Sequence, residues 1–217
     1  RDGAGVAVVM FGHRSDYAFA DIDPFNVAQL PTSPTTAFRI LGAADDNSAG
    51  YAVAIVPDIN DDGISDIVIS SPDAAANSMA KAGVVNVIFG RNYPSFNFTA
   101  NIDLLTYSFT STTGFTILGG FGDYMIGKVL SSAGDVNGDN VNDIMIGAPD
   151  ASSERGIVYV VYGRTPANYV SVIDLSAADD TVFFTVAGSG VNDGCGTSVA
   201  GVGDVNGDDV DDIVVGV

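Results

Sequence analysis

The sequence predicts an all-β protein: a single region of repeats forming a β-propeller-like array of four-stranded antiparallel blades. Three observations predict it. The composition favours turns and strands over helices, four sequence markers recur in a fixed order, and each recurring unit divides into four short β-branched runs. Glu154 is the single Glu among 27 acidic residues, and Lys81 and Lys128 are the two lysines. Glu and Lys are strong helix formers, whereas Asp prefers turns and caps. With 26 Gly added, the chain reads as many turns and few helices.

The first marker is an Asp-rich stretch, at Asp58–Ser70 (DINDDGISDIVIS), Asp135–Gly147 (DVNGDNVNDIMIG) and Asp204–Gly216 (DVNGDDVDDIVVG). The second is Val8–Gly12 (VVMFG), Val87–Gly90 (VIFG) and Val160–Gly163 (VVYG). The third is Ile22-Asp23, Ile102-Asp103 and Ile173-Asp174; the fourth is Phe38–Gly42, Phe115–Gly119 and Phe184–Gly188. Repetition on this scale signals a repeat architecture.

The strands follow in order. Residues 1–41 hold third- and fourth-strand material of a half blade, Gly5–Phe11 and Phe38–Leu41. Residues 42–118 form a whole blade from Tyr51–Val56, Ile67–Ser70, Gly83–Gly90 and Phe115–Leu118. Residues 119–187 form a second. Residues 188–217 form a half blade with first- and second-strand material, Thr197–Gly201 and Ile213–Val217. These runs are short, β-branched or aromatic, and bounded by Gly, Asp or Pro. Gly156–Gly163 (GIVYVVYG) is almost wholly apolar, which suits a strand buried on both faces. Sheets stacked face to face around an axis bury strands in this way. The third-to-fourth-strand connections, such as Leu30–Thr36 and Arg91–Thr99, are polar surface excursions.

Charge excludes some functions. The chain has 217 residues, a net charge of −19 and eight Lys plus Arg. Such a surface does not neutralise a phosphate backbone, so no nucleic-acid partner is expected. Anionic lipid is disfavoured for the same reason, and no apolar run reaches the roughly 18 residues of a membrane helix. The chain starts at Arg1, which is read as processing or as a piece of something longer.

The Asp-rich stretches carry the chemistry. Oxygen side chains stand at positions 1, 3, 5 and 9, a pattern suited to a hard cation that takes six to eight oxygens. The expected ligands are Asp58, Asn60, Asp62 and Asp66 with the Ile64 carbonyl, then Asp135, Asn137, Asp139 and Asp143 with Val141, and Asp204, Asn206, Asp208 and Asp212 with Val210. That makes three Ca²⁺ sites. Position 12 is Ile69, Ile146 or Val215, where an EF-hand has a bidentate Glu. A β-branched run follows rather than a helix, so each loop is expected to close a hairpin. Position 6 is Gly63, Asn140 or Asp209, all tolerant of left-handed backbone.

These residues resemble the FG-GAP repeats of the integrin α-subunit propeller and its microbial relatives. The Phe-Gly element is Phe11-Gly12 and Phe89-Gly90, with Tyr162-Gly163 as a variant; the Gly-Ala-Pro element is Gly147-Ala148-Pro149. Gly-Asp-x-Asn-Gly-Asp stands at Gly134–Asp139 and Gly203–Asp208. The resemblance implies four-stranded blades, Ca²⁺ in the loop joining the first two strands, an extracellular or cell-surface setting, and roles in adhesion, recognition or scaffolding. A family propeller has about seven blades, against material here for three. The half blades suggest completion by another copy or by adjoining repeats of a longer chain, and hence a head-to-tail filament.

The remaining signals are weaker. Asn97-Phe98-Thr99 is an N-glycosylation sequon. His13 is the only histidine and reads as a turn residue, Cys195 as a small buried residue, and Gly119–Gly122 as a turn. No catalytic cluster emerges, so the chain is read as a non-enzymatic extracellular module whose partners include protein or glycan. The alternatives are a receptor or adhesin head cut from a closed propeller, and the accessory lobe of a secreted hydrolase.

Overall fold

The computed structural model describes residues 1–12, 37–91, 101–177 and 179–217. Asn97, His13, Ile22-Asp23 and Leu30–Thr36 lie outside them. Strands β1 (Val6–Met10) and β2 (Ala37–Leu41) pair antiparallel. They are followed by β3 (Val53–Val56), β4 (Asp66–Ser71), β5 (Val84–Ile88), β6 (Ile102–Asp103) and β7 (Gly114–Leu118). Next come β8 (Val129–Gly134), β9 (Asp143–Ala148), β10 (Ile157–Val161), β11 (Val172–Asp174) and β12 (Phe183–Ala187). The chain closes with β13 (Ser198–Gly203) and β14 (Asp212–Gly216). The helical pieces among the described residues are single turns at Ala151–Glu154 and Pro166–Asn168. No helix there is long and apolar enough to cross a membrane.

Two meanders have the same order. Strands β3, β4, β5 and β7 run side by side and antiparallel, as do β8, β9, β10 and β12. β1-β2 repeats the outer half of this plan and β13-β14 the inner half. The protein is all-β, built of propeller-type blades.

Successive residues of one strand serve different cores, which explains the continuous apolar runs. Val68 and Val87 pack with Ile144, Ile146, Tyr159 and Val161 of the next blade. Their neighbours Ile69 and Ile88 turn the other way, onto Phe38 and Ile40. Met145, Val158 and Val160 face Val199, Ile213 and Val215. Period-two alternation therefore sends one side chain to each of two interfaces, and each core lies between blades rather than inside one. Ile144 is fully buried in such an interface. Ile144→Ala is expected to cost about 2–5 kcal/mol, measured by urea unfolding, with unchanged far-UV dichroism of the folded form.

The polar connections do more than cross the surface. β6 lies between β5 and β7 in the chain, yet pairs parallel with β2 of the preceding blade. β11 likewise adds parallel to β7. Each Ile-Asp marker is thus a clasp on its neighbour. Arg1 bonds both carboxylate oxygens of Asp103, at 2.6 and 2.7 Å, tying the chain start to one clasp.

Candidate metal centre

The Asp-rich stretches form the tips joining β3 to β4, β8 to β9 and β13 to β14. Each tip needs left-handed backbone at two points. At position 4 these are Asp61 (φ 60°), Gly138 (72°) and Gly207 (82°); at position 6, Gly63 (81°), Asn140 (68°) and Asp209 (67°). Asn and Asp visit this region more readily than other L-residues. The second and third tips open with a register shift beside Gly134 and Gly203. The first has Pro57 before it and instead turns at Asp58 itself, with φ 54°.

Position 1 holds the tip closed. The carboxylate of Asp58 accepts the amides of Asp62 (2.8 Å) and Gly63 (2.7 Å). Asp135 does the same for Asp139 (3.0 Å) and Asn140 (2.7 Å). Asp204 accepts four amides, including Gly207 at 2.6 Å and Asp209 at 2.9 Å. The amides of Asp209 and Gly207 hold the Asp204 carboxyl below its ordinary pKa. At position 5, Asp62, Asp139 and Asp208 accept the amides of Ile64, Val141 and Val210.

At position 3, Asn60 donates its side-chain amide to Asp62, and Asn137 donates to Asp139, both at 3.0 Å. A carboxylate only accepts, so this bond fixes which end of each amide is NH₂. Asn60 Oδ1 is left buried with no partner among the described residues, whereas Asn137 Oδ1 accepts the Asp139 amide at 2.9 Å. Asn206 is exposed.

Position 9 has a task that spacing alone does not reveal. Both oxygens of Asp66 are used: one accepts the Ile59 amide at the start of the tip (2.7 Å), the other the Gly90 amide (2.8 Å). Asp143 repeats this with Val136 (3.0 Å) and Gly163 (2.8 Å). Gly90 of the second Phe-Gly element and Gly163 of the Tyr-Gly element are therefore each strapped to the tip of their own blade. A Cβ on Gly90 would lie 2.3 Å from the Ser65 carbonyl oxygen, and one on Gly163 2.3 Å from that of Asn142. Glycine is required there for close approach. Asp212 accepts the Val205 amide (2.9 Å). The sequence offers only a co-occurrence, an Asp followed 24 or 20 residues later by a Phe-Gly or Tyr-Gly glycine, with nothing in it to pair the two.

Burial pushes the Asp66 and Asp143 carboxyls up to about 7, against the pull of their two amide bonds. The charges of Asp62 and Asp58 act on Asp66 in the same upward sense, as do Asp139 and Asp135 on Asp143.

Neighbouring tips are bonded together. The Asp58 carbonyl accepts the Asn142 amide (3.4 Å) and the Ile59 carbonyl accepts the Arg164 amide (2.9 Å). One blade on, the Asp135 carbonyl accepts the Asp211 amide (3.0 Å), and the Asp211 carboxylate takes the Asp135 amide (2.9 Å). Ile59 is fully buried, Val136 half-buried, and Val205 71% exposed. The third tip is thus the least enclosed.

The donor set is all oxygen, as Ca²⁺ requires. The partnerless Asn60 Oδ1 beside the Asp62 carboxylate fits a cation ligand. Among the described residues no three Asp, Glu, His or Cys side chains form a cluster able to hold an ion unaided. Amide and main-chain oxygens would have to complete each shell. Cys195 is buried, and burial raises its thiol pKa, which suits packing rather than nucleophilic chemistry.

Fold and tips together define a propeller-type repeat array with oxygen-lined hairpin turns. Residues 130–173 match the FG-GAP repeat. The chain is 30% identical to integrin alpha-V of Gallus gallus over 191 residues, 86% of this chain and 15% of that protein. It is 31% identical to integrin alpha-PS5 of Drosophila melanogaster over 114 residues, 52% of this chain and 10% of the relative. It is 25% identical to phosphatidylinositol-glycan-specific phospholipase D of Mus musculus over 133 residues, 60% of this chain and 14% of the relative. The chain is an FG-GAP repeat protein resembling integrin α, and it spans only a small fraction of each relative's length.

Proposed function

We propose that the chain is a non-enzymatic, Ca²⁺-binding structural or adhesion module that works outside the cell. One observation carries the calcium reading: Asn60 presents a buried oxygen without a partner inside a turn of carboxylates. Asp58, Asn60, Asp62, Asp66 and the Ile64 carbonyl would hold the first ion. The equivalent sets at Asp135–Asp143 and Asp204–Asp212 would hold two more. Bound Ca²⁺ supplies positive charge among carboxylates that otherwise repel. The integrin relatives support the extracellular setting and the adhesive role. The phospholipase D relatives keep an accessory lobe of a secreted hydrolase as the second reading.

Calorimetric titration of the chelator-treated chain tests this. Three Ca²⁺ per chain are expected, falling to two in Asn60→Ala. Absence of any saturable heat overturns the calcium reading.

The inner and outer half blades also support completion by another copy or by an adjoining repeat. β14 exposes Val214 at 56%, whereas its counterpart in β9 is fully buried. Among the described residues, nothing lies within 4 Å of where a Cβ on Gly12, the first Phe-Gly glycine, would stand. In a completed blade, β1 would pair with β14, and the Gly12 amide would reach the Asp212 carboxylate as Gly163 reaches Asp143. Sedimentation in Ca²⁺ should show concentration-dependent chains of this protein. A monomer at all concentrations rules out self-completion.

A further inference from the structure

Strands β2, β7 and β12 are the fourth strands of their blades, and among the described residues only β12 has a bare outer edge. β2 carries β6 and β7 carries β11, whereas β12 ends its sheet. The side chains beneath differ accordingly. Phe38 and Ile40 under the first clasp, and Phe115 and Ile117 under the second, are all 4% exposed or less. Their counterparts Phe184 and Val186 are only half-buried. A bare strand edge invites another strand. The two filled edges show its form: a parallel Ile-Asp pair whose isoleucine, Ile102 or Ile173, is buried in an inter-blade core.

A charged partner for such a pair is also in place. In each clasp the Asp is held by the stretch leading into the third strand of the blade being clasped. Asp103 is gripped by Arg1, ahead of β1, and Asp174 accepts the side-chain amide of Asn77, ahead of β5, at 2.7 Å. Arg1 also donates to the Gly42 carbonyl, just past β2, at 2.6 Å. Arg155, ahead of β10, makes the matching bond from Nη2 to the Ser189 carbonyl, just past β12, at 3.0 Å. Arg155 is exposed. Asp193 lies close enough to feel its charge, but one of that carboxylate's oxygens already accepts the Ser189 hydroxyl (3.0 Å) and the Gly190 amide (2.6 Å).

We propose that the β12 edge binds the Ile22-Asp23 pair of a second copy, with Ile22 beside Val186, Asp23 beside Ala187 and the Asp23 carboxylate on Arg155. The register copies that of Ile102 beside Ile40 and Ile173 beside Ile117. The proposal rests on completion of β13-β14 by another copy. In that arrangement β1 and β2 of the incoming copy form the outer half of the next blade. Ile22-Asp23 stands between those two strands in the sequence, as Ile102-Asp103 stands between β5 and β7. Pro24 comes next, where Leu104 and Leu175 give their amides to the Leu41 and Leu118 carbonyls at 3.0 Å. Proline has no amide to give, so the Arg155–Asp23 pair carries a larger share of this clasp.

Charge reversal separates this contact from the rest of the interface. Sedimentation in Ca²⁺ is compared for the natural chain, Arg155→Asp, Asp23→Arg, and an equimolar mixture of the two variants. Each variant alone sets like charges together and should associate about fivefold more weakly than the natural chain. In the mixture, alternating copies join opposite charges at every contact, and the mean net charge equals that of the natural chain. Association should therefore return. Arg155→Lys covers the case where a reversed variant fails to fold: it keeps the charge, and a carbodiimide should couple its amine to Asp23 of a second copy, read from the cross-linked peptides. Folded variants that associate like the natural chain, a mixture of them no stronger than its components, or no coupling to Asp23 overturns the clasp and leaves self-completion standing. A natural chain that stays monomeric overturns both, and makes an adjoining repeat the occupant of the edge.

Discussion

Asp143→Ala is expected to destabilise the chain by about 3 kcal/mol, because it leaves two enclosed amides without acceptors at roughly 1–3 kcal/mol each. Those amides are Val136 N–H, at the start of the second tip, and Gly163 N–H, two residues past the end of the neighbouring strand β10. Asp143 is fully buried, so water does not replace the carboxylate without opening the blade. The elevated pKa of this carboxyl offsets part of the loss, since removing it also removes a poorly solvated charge. The measurement is urea unfolding in chelator, so that any loss belongs to the strap rather than to a missing ion. Asp212→Ala is the control. Its amide partner belongs to Val205, which is 71% exposed, and water can take over that bond. The control is expected to lose about 1 kcal/mol or less. Equal losses at the two positions would show that the strap is not what makes Asp143 matter.

Calcium is expected to raise the melting temperature by roughly 6–20 °C between chelator and 10 mM Ca²⁺. Sites of extracellular modules bind with Kd of about 10⁻⁴–10⁻³ M. At that excess each contributes roughly 1.4–2.7 kcal/mol by mass action. Two such sites, the tips packed against neighbours, give about 3–5 kcal/mol, and a chain of this size melts about 2–4 °C higher per kcal/mol. Mg²⁺ should do much less, because it demands tighter octahedral geometry and keeps its waters. Differential scanning calorimetry gives the answer. Superimposable curves in Ca²⁺ and chelator would contradict the calcium reading, whatever the fold.

Much of the backbone was legible because its constraints are local. The Gly63, Asn140 and Asp209 series at position 6 announces a left-handed residue in each turn, and all three adopt one. The unbroken apolar run of β10 announced burial on both faces, and its residues divide between two inter-blade cores. The partners of Asp66 and Asp143 were not legible. Their second amides come from glycines 24 and 20 residues away, across a strand pair whose register the sequence does not state. The parallel clasps β6 and β11 escaped for a similar reason: two or three extended residues in a polar connection carry no periodicity to read.

The amino-acid sequence determined the all-β class, the repeat, the order of strands and the oxygen spacing of the tips, because each follows from propensity or pattern within a few residues. The tertiary structure alone decided which amides satisfy the buried carboxylates and which tips are enclosed by a neighbour. Those outcomes depend on groups far apart in the chain meeting across blades, where burial removes water as an alternative partner.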